Sequence, residues 1–256
     1  GKGRRMDKTL IRKRFARATG SYLQTASVQR TIAERMVDRI SVYVPEVDQH
    51  KILEVGCGTG MFTRMYLQQH SPEQLFLNDI CPEVQTCFSD LPEGKVDFLM
   101  GDAEKLCFPS NLDMIVSCSA IQWFEHPVAF LSRCARFLKP GGFLAFSTFG
   151  KMNMQEIASV SSVSLNYLSL EELKRELEPH YHLVYSHEEV FRLSFESPMA
   201  VLKHLKETGV TGIRSGVWTR GKLDAFCMHY SSRYASEGGM VPLTYHPIYI
   251  ICQLKK

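Results

Sequence analysis

Leu53-Glu54-Val55-Gly56-Cys57-Gly58-Thr59-Gly60 is the stretch that decides the fold. Ile52 to Val55 is a short apolar strand, and three glycines alternating with other residues then lead into a helical pattern starting at Met61. Strand, tight turn and helix start follow one another directly. Glycine is needed where the backbone reverses sharply and where it must lie against a ligand with no Cβ in between. The first amide groups of the following helix point at the same spot. Two ligand classes match poorly. The dinucleotide fingerprint needs a further glycine where Met61 stands, and a triphosphate loop needs a Gly-Lys-Ser/Thr that is absent here.

Working outward, Gln74 to Asp79 reads as a second strand ending in an acid about 20 residues past the glycines, where βαβ folds place a ribose-binding carboxylate. Asp79 is the expected ribose ligand, with Ile80 beside it. The competing reading is an N-cap for Pro82 to Phe88, since Asp caps helices well. Val96 to Met100 gives a third strand closed by Gly101-Asp102-Ala103-Glu104, and Asn111 to Ala120 a fourth that runs into Ile121-Gln122-Trp123-Phe124. The C-terminal end of a central parallel strand is where such sheets place their chemistry, so Ser117, Ser119, Gln122 and Trp123 are expected to face the ligand. A helix over 127–138 stops at Lys139-Pro140-Gly141-Gly142, and Phe143 to Thr148 makes a fifth strand.

Upstream, apolar residues recur at helix spacing from Lys8 to about Ser41, predicting two helices before the sheet, the first strongly basic through Arg12, Lys13, Arg14 and Arg17. Beyond Gly150 the rhythm changes. Residues 154–162 and 170–177 look helical, 182–195 alternates like one or two strands, 198–208 and 221–236 are helical, and 243–254 is β-rich. The expected fold is α/β: a doubly wound, Rossmann-like, seven-stranded and mostly parallel sheet with N-terminal helices and a helical cap inserted before the last strand. Residues 1–195 and 241–256 would form the core, and 196–240 the cap shaping the substrate pocket.

Glu54 followed by G-x-G-x-G at Gly56, Gly58 and Gly60 resembles the first motif of class I S-adenosylmethionine-dependent methyltransferases, whose ligand carries a cation and an amino-acid head instead of a pyrophosphate. That resemblance implies that Asp102 accepts from the exocyclic amine of adenine while the backbone of Ala103 meets the ring. A narrower match follows from Arg14-Phe15-Ala16-Arg17-Ala18 with Tyr22, Ser117 with Ile121-Gln122-Trp123, Phe146-Ser147-Thr148-Phe149-Gly150, His204-Leu205-Lys206 with Thr208-Gly209-Val210, and Pro242-Leu243-Thr244-Tyr245. Together these span nearly the whole chain and resemble the malonyl-thioester O-methyltransferases of biotin synthesis. The run departs from that family's pattern at Cys118-Ser119-Ala120.

The resemblance implies methyl transfer from S-adenosylmethionine to the free carboxylate of a malonyl group on acyl carrier protein, giving the methyl ester that primes pimeloyl synthesis. Tyr22, Trp123 and Phe149 would wall the substrate pocket, Gln122 would line it, and Lys206 or Arg214 would receive the carboxylate. Tyr22 would act by positioning, because a carboxylate is already ionised at neutral pH and needs no general base. The alternatives are a methyltransferase for another small acceptor, such as a quinone precursor or dicarboxylate, and a non-catalytic module that binds S-adenosylmethionine.

Composition narrows the partners. A formal charge of +3 over 256 residues implies no polyanion by itself, so no nucleic acid is expected. The eight cysteines form no C-x-x-C pair and read as reduced thiols, and no Cys/His pair has ligand spacing, so no metal is expected. No run reaches membrane-span length and no signal-peptide core is visible, which with the reduced thiols predicts a cytoplasmic enzyme with no membrane partner; a monomer is the expected state.

Overall fold

The computed structural model describes residues 27–161, 166–208 and 218–256. The first of the two expected N-terminal helices therefore lies outside the described residues, as do Tyr22 and Arg214. The second is present as α1 (Ser27–Tyr43), and its Val28, Ile32, Met36, Val37 and Ile40 form a buried stripe at helix spacing.

The sheet is built from β1 (Lys51–Val55), β2 (Gln74–Asn78), β3 (Val96–Phe98), β4 (Leu112–Cys118), β5 (Leu138–Phe149), β6 (Tyr181–Glu188) and, near the C-terminus, β9 (Pro247–Leu254). Their spatial order is β3-β2-β1-β4-β5-β9-β6. The first five run parallel, and β9 is antiparallel to both neighbours. Successive residues feed alternate faces: Ile52, Leu75, Leu77, Met114, Val116, Phe143 and Ala145 enter one core cluster, while Leu53, Phe76, Ile115, Leu144 and Phe146 enter the other. Burial on both sides is why these strands read as continuous apolar runs. Glu54 shares the face of Ile52, so a carboxylate points into the layer occupied by α1 and by α2 (Met61–Leu67).

Strand order reverses between β1 and β4, and the glycine turn opens at that switch point. Helices α3 (Pro127–Arg133), α4 (Gln155–Val160) and α5 (Leu170–Leu177) belong to the connections, α3 between β4 and β5 and the others between β5 and β6. Beyond β6, β7 (Phe191–Phe195) pairs with β8 (Val241–Tyr245) as a separate antiparallel ladder, and α6 (Pro198–Glu207) and α7 (Arg220–Tyr234) lie between them in sequence. Ser197 and Thr219 cap these helices, accepting from the backbone N–H groups of Ala200 and Lys222.

Two local readings need correction. The expected helix over 127–138 ends at Arg133, and Lys139-Pro140-Gly141-Gly142 is the start of β5, not a helix stop. The reason is tertiary. Lys139 Nζ binds Asp48 and Asp113 at 2.7 and 2.8 Å, while Asp113 also receives the backbone N–H groups of His50 and Lys51, so the strand is anchored before its apolar run begins. The β-rich C-terminal segment is likewise two strands broken at His246, each serving a different sheet.

Candidate active site

A cavity of about 170 Å³ opens over the C-terminal ends of β1, β2 and β4. Its wall contains Glu54, Gly56, Gly58, Asp79, Ile80, Asp102, Ala103, Ser119, Gln122, Trp123 and Phe149 of the sequence-predicted set. The glycine turn shows why those residues are required. Gly56, Gly58 and Gly60 have φ values of 73°, 55° and 97°, all in the left-handed region that disfavours side chains. A Cβ on Gly56 would lie 2.5 Å from that of Ala120, so the turn also packs directly on the end of β4.

Asp79 does two jobs at once. Its Oδ2 accepts from Gly58 N–H at 2.9 Å and its Oδ1 from Cys81 N–H at 2.9 Å, so the carboxylate joins the glycine turn to the segment after β2. The helical turn at Pro82–Phe88 has Cys81 as its N-cap with no side-chain hydrogen bond, so Asp79 is not its cap, and each Asp79 oxygen keeps a further lone pair for a ligand. Burial raises the Asp79 pKa, and the backbone N–H groups around it oppose that rise. Asp102 sits in the turn after β3, its Oδ1 accepting from Glu104 N–H at 3.0 Å.

Glu54 is 2% exposed and accepts from Thr63 Oγ at 2.5 Å. Burial is the main reason its pKa is pushed up to about 8; the Thr63 hydrogen bond opposes this and Asp79 adds to it. Between its ordinary value of 4.5 and about 8 the folded chain therefore holds a proton that the unfolded chain has lost. The stabilisation from this group is full below pH 4.5 and is lost as pH rises through about 8. A cation placed beside Glu54 reverses that preference.

Ser119, at the end of β4, adopts φ 55°, an unfavourable conformation for a residue with a Cβ. Its N–H donates to Ser147 Oγ at 2.9 Å and to the Ser147 carbonyl at 3.1 Å, which holds the strand end against β5. Gln122 Nε2 in turn donates to the Ser119 carbonyl at 2.8 Å.

Three predicted residues stand elsewhere or differently. Ser117 is buried, its hydroxyl donates to the Val55 carbonyl at 3.0 Å, and it ties β4 to β1 without reaching the cavity wall. Gly60 shapes the turn: a Cβ there would meet the Arg64 guanidinium and the Phe88 ring. Lys206 is exposed on α6 and is not on the cavity wall, because the inward face of that helix belongs to Val201 and Leu205 and the next residue is turned away by about 100°.

Other wall residues escaped sequence reading. Gln29 of α1, Asn153, Tyr167, Thr208 and Tyr245 come from distant parts of the chain. Tyr245 is held by His204, whose Nε2 lies 2.9 Å from the phenolic oxygen, and burial lowers the His204 pKa, keeping it neutral. Thr208 and Tyr245 lie in the family-like motifs, four of which, all but the N-terminal one, meet here: Gln122-Trp123, Phe149, the His204-to-Thr208 stretch and Tyr245; Gln29, Asn153 and Tyr167 lie in none of them.

The donor set tests what can bind. Among the described residues the cavity wall carries three carboxylates, Glu54, Asp79 and Asp102, and no Lys, Arg or His. Gln29 Oε1, Thr59 Oγ and Gln122 Oε1 are buried side-chain atoms with no hydrogen-bond partner among the described residues, and all three residues line this cavity. Buried polar atoms without partners are costly, and here they converge on one space. Such a wall repels a pyrophosphate and suits a ligand rich in cations, hydroxyls and N–H groups. S-adenosylmethionine has an ammonium, a sulfonium, ribose hydroxyls and an adenine amine, and it fits that description. No described helix is long and apolar enough to cross a membrane, and the described residues contain no His/Cys/Asp/Glu group suited to a metal ion.

Comparisons with known proteins agree with this chemistry. Residues 53–146 match the family model described as a methyltransferase domain. The chain is 46% identical to the malonyl-acyl carrier protein O-methyltransferase of Bacteroides thetaiotaomicron, covering 98% of this chain and 100% of that protein. It is 36% identical to the enzyme of the same name from Haemophilus influenzae, covering 97% and 95% respectively. Among solved structures, an S-adenosylmethionine-dependent methyltransferase from Mesorhizobium loti superposes with a TM-score of 0.54 at 15% identity, covering 84% of this chain and 96% of that one. A Haemonchus contortus phosphoethanolamine N-methyltransferase solved with S-adenosylhomocysteine superposes with a TM-score of 0.53 at 16% identity, covering 87% and 52%. A glycine turn at the sheet's switch point, a wall of carboxylates and near full-length identity to these enzymes together place the chain in the malonyl-acyl carrier protein O-methyltransferase family, as an S-adenosylmethionine-dependent methyltransferase.

Proposed function

We propose that this enzyme methylates the free carboxylate of a malonyl group carried as a thioester on acyl carrier protein, yielding the methyl ester that primes pimeloyl synthesis for biotin. The observation that carries the reading is a wall rich in carboxylates and partnerless acceptors, joined to apolar and aromatic walls from Trp123, Phe149 and Tyr245. The names of the relatives supply the substrate.

When bound, the cofactor supplies an electrophilic methyl group on a sulfonium. The chain's residues then orient and dehydrate the reactants. Glu54 takes the ammonium of the amino-acid head, Asp79 the ribose hydroxyls, and Asp102 with the Ala103 backbone the adenine. Gln122, Gln29 and Thr59 supply the remaining polar partners. The acceptor carboxylate is ionised at neutral pH, so proximity and in-line alignment carry the rate. Trp123 and Phe149 exclude water, which matters because opposite charges neutralise each other along the reaction coordinate. The cap expected over 196–240, described at 196–208 and 218–240, covers the substrate end in this reading, and its exposed Lys203, Lys206, Arg220 and Lys222 offer a basic face to an acidic carrier protein. Tyr22 belongs to the same proposal as an aromatic wall, and Arg214 as a further cation for the acidic carrier protein.

Mass spectrometry of malonyl-carrier protein after incubation with enzyme and S-adenosylmethionine is expected to show a methyl-sized mass gain, with free malonate a poor acceptor. Equal or better transfer to free dicarboxylates would overturn the choice of substrate. A second expectation concerns Glu54. At neutral pH its carboxyl is mostly protonated, with a pKa of about 8, and an ammonium beside it favours the charged form. Binding of S-adenosylhomocysteine should therefore release close to one proton. Calorimetry in two buffers of different ionisation enthalpy reads that proton directly. Release should vanish in Glu54→Gln, and identical heats in both buffers for the unaltered enzyme would rule the assignment out.

A further inference from the structure

The substrate end of the cavity has a hydrogen-bonding device separate from the cofactor residues. It starts at His246, the residue that breaks the C-terminal β segment. His246 is 7% exposed, and its Nδ1 accepts from Met152 N–H at 3.1 Å. The proton therefore sits on Nε2, which lies 2.6 Å from Glu188 Oε1. The ring is locked at both nitrogens. Its backbone is locked as well, since its carbonyl accepts from Gly150 N–H at 2.8 Å and its N–H donates to Asn153 Oδ1 at 2.9 Å. A Cβ on Gly150 would strike the imidazole at 2.5 Å, so the chain after β5 lies flat against this ring.

The direction of the next hydrogen bond follows from that arrangement. Asn153 Oδ1 is occupied as an acceptor, which orients the carboxamide, so Nδ2 is the atom facing Tyr167 and donates to its Oη at 3.0 Å. Tyr167 thus receives a hydrogen bond from Asn153, and its own O–H hydrogen has no acceptor among the described residues. Both Asn153 and Tyr167 line the cavity. Tyr167 is half-buried, so the open position of its hydroxyl faces the space that solvent fills until a ligand enters the cavity.

We propose that Tyr167 donates this hydrogen bond to an oxygen of the acceptor's carboxyl group, with Asn153 as the positioning residue that turns the hydroxyl toward the substrate. The inference rests on the carboxylate-acceptor reading above and deepens it by naming a neutral receiver for the carboxylate. Neutrality suits the reaction. A cation would stabilise the starting anion more than a transition state in which that charge is vanishing, whereas a hydroxyl orients the oxygen with less bias toward the ground state. In the transfer the carboxylate oxygen contributes the electron pair of the new O–CH3 bond, the C–S bond breaks, and its pair stays on sulfur. No proton moves. Burial holds the Tyr167 pKa near 12, with the Asn153 hydrogen bond pulling the other way, so the phenol keeps its hydrogen throughout the neutral range.

The test compares the full-length enzyme with Tyr167→Phe and Asn153→Asp, using malonyl-pantetheine as acceptor and acetyl-pantetheine, which lacks the carboxylate, as competing ligand. Tyr167→Phe is expected to lower kcat/KM about 10- to 100-fold, leaving the Kd for S-adenosylhomocysteine and for acetyl-pantetheine within twofold of the unaltered enzyme. Asn153→Asp should lose more, because the new carboxylate draws the Tyr167 hydrogen back to itself and repels the substrate anion. Thermal melts separate misfolding from function. A general structural role would weaken both thioesters alike. Turnover by Tyr167→Phe equal to that of an active unaltered enzyme would overturn the hydrogen bond alone. An unaltered enzyme that transfers no methyl to any malonyl thioester would overturn the functional reading and this inference with it.

Discussion

Replacing Asp79 with alanine is expected to weaken S-adenosylhomocysteine binding by roughly 100-fold or more. The carboxylate holds Gly58 N–H and Cys81 N–H at 2.9 Å each, so its loss leaves two donors of the cofactor turn without their acceptor and also removes the proposed ribose contact. Hydrogen bonds involving a charged group are worth about 1.5–3 kcal/mol each, and losing two in a largely buried place corresponds to about 3 kcal/mol or more of binding, or about two orders of magnitude in Kd. Asp79→Asn should recover little. Its amide oxygen can serve one N–H, but its NH2 then confronts the other donor. Calorimetric titration with S-adenosylhomocysteine, alongside a thermal melt, reads both effects. Affinity within threefold of the unaltered enzyme would reduce Asp79 to a residue that only braces the turn.

The second large effect is expected at Gly56. Gly56→Ala combines a left-handed φ of 73° with a Cβ placed 2.5 Å from the Ala120 Cβ, well inside the usual contact distance of about 3.5–4.0 Å. The conformational part costs about 1–2 kcal/mol and the overpacking about 1–3 kcal/mol. For a domain of this size a total near 3 kcal/mol lowers Tm by about 6–12 °C. Cofactor affinity should fall as well, because Gly56 and Ala120 both line the cavity. The double substitution with Ala120→Gly separates the causes: it should relieve the overlap and restore part of the Tm, leaving the conformational share. A single variant that melts with the unaltered enzyme would show that the turn can relax, and that close packing is not why glycine stands there.

Much of the cofactor half was legible because it is local. A strand end, a glycine turn and an acid at a fixed distance are each set by a few consecutive residues and by the geometry of βα units, so Gly56, Gly58 and Asp79 could be placed before any coordinates, and the resemblance to a methyltransferase motif added Glu54 and Asp102. The misreadings have a shared cause. Lys139 to Gly142 has the composition of a helix stop, yet ion pairs to Asp48 and Asp113, far away in sequence, make it the start of a strand. Ser117 sits at the correct strand end for a ligand, but side-chain parity and the Val55 carbonyl turn its hydroxyl into the sheet.

The sequence by itself determined the doubly wound sheet and the switch-point turn, since these depend on periodicity, on glycine's access to positive φ and on short fixed spacings, while the class of cofactor came from the resemblance of Glu54 and the G-x-G-x-G turn to a methyltransferase motif. Only the tertiary structure decided which residues close the other half of the cavity. Gln29, Asn153, Tyr167, Thr208 and Tyr245 have no shared spacing along the chain, and they meet because α1, the loop after β5, the end of α6 and β8 pack around one space. The direction of the Tyr167 hydrogen bond is more distant still from the sequence: it depends on the His246 ring being fixed by Glu188 and Met152, a chain of contacts that exists only once the fold has formed.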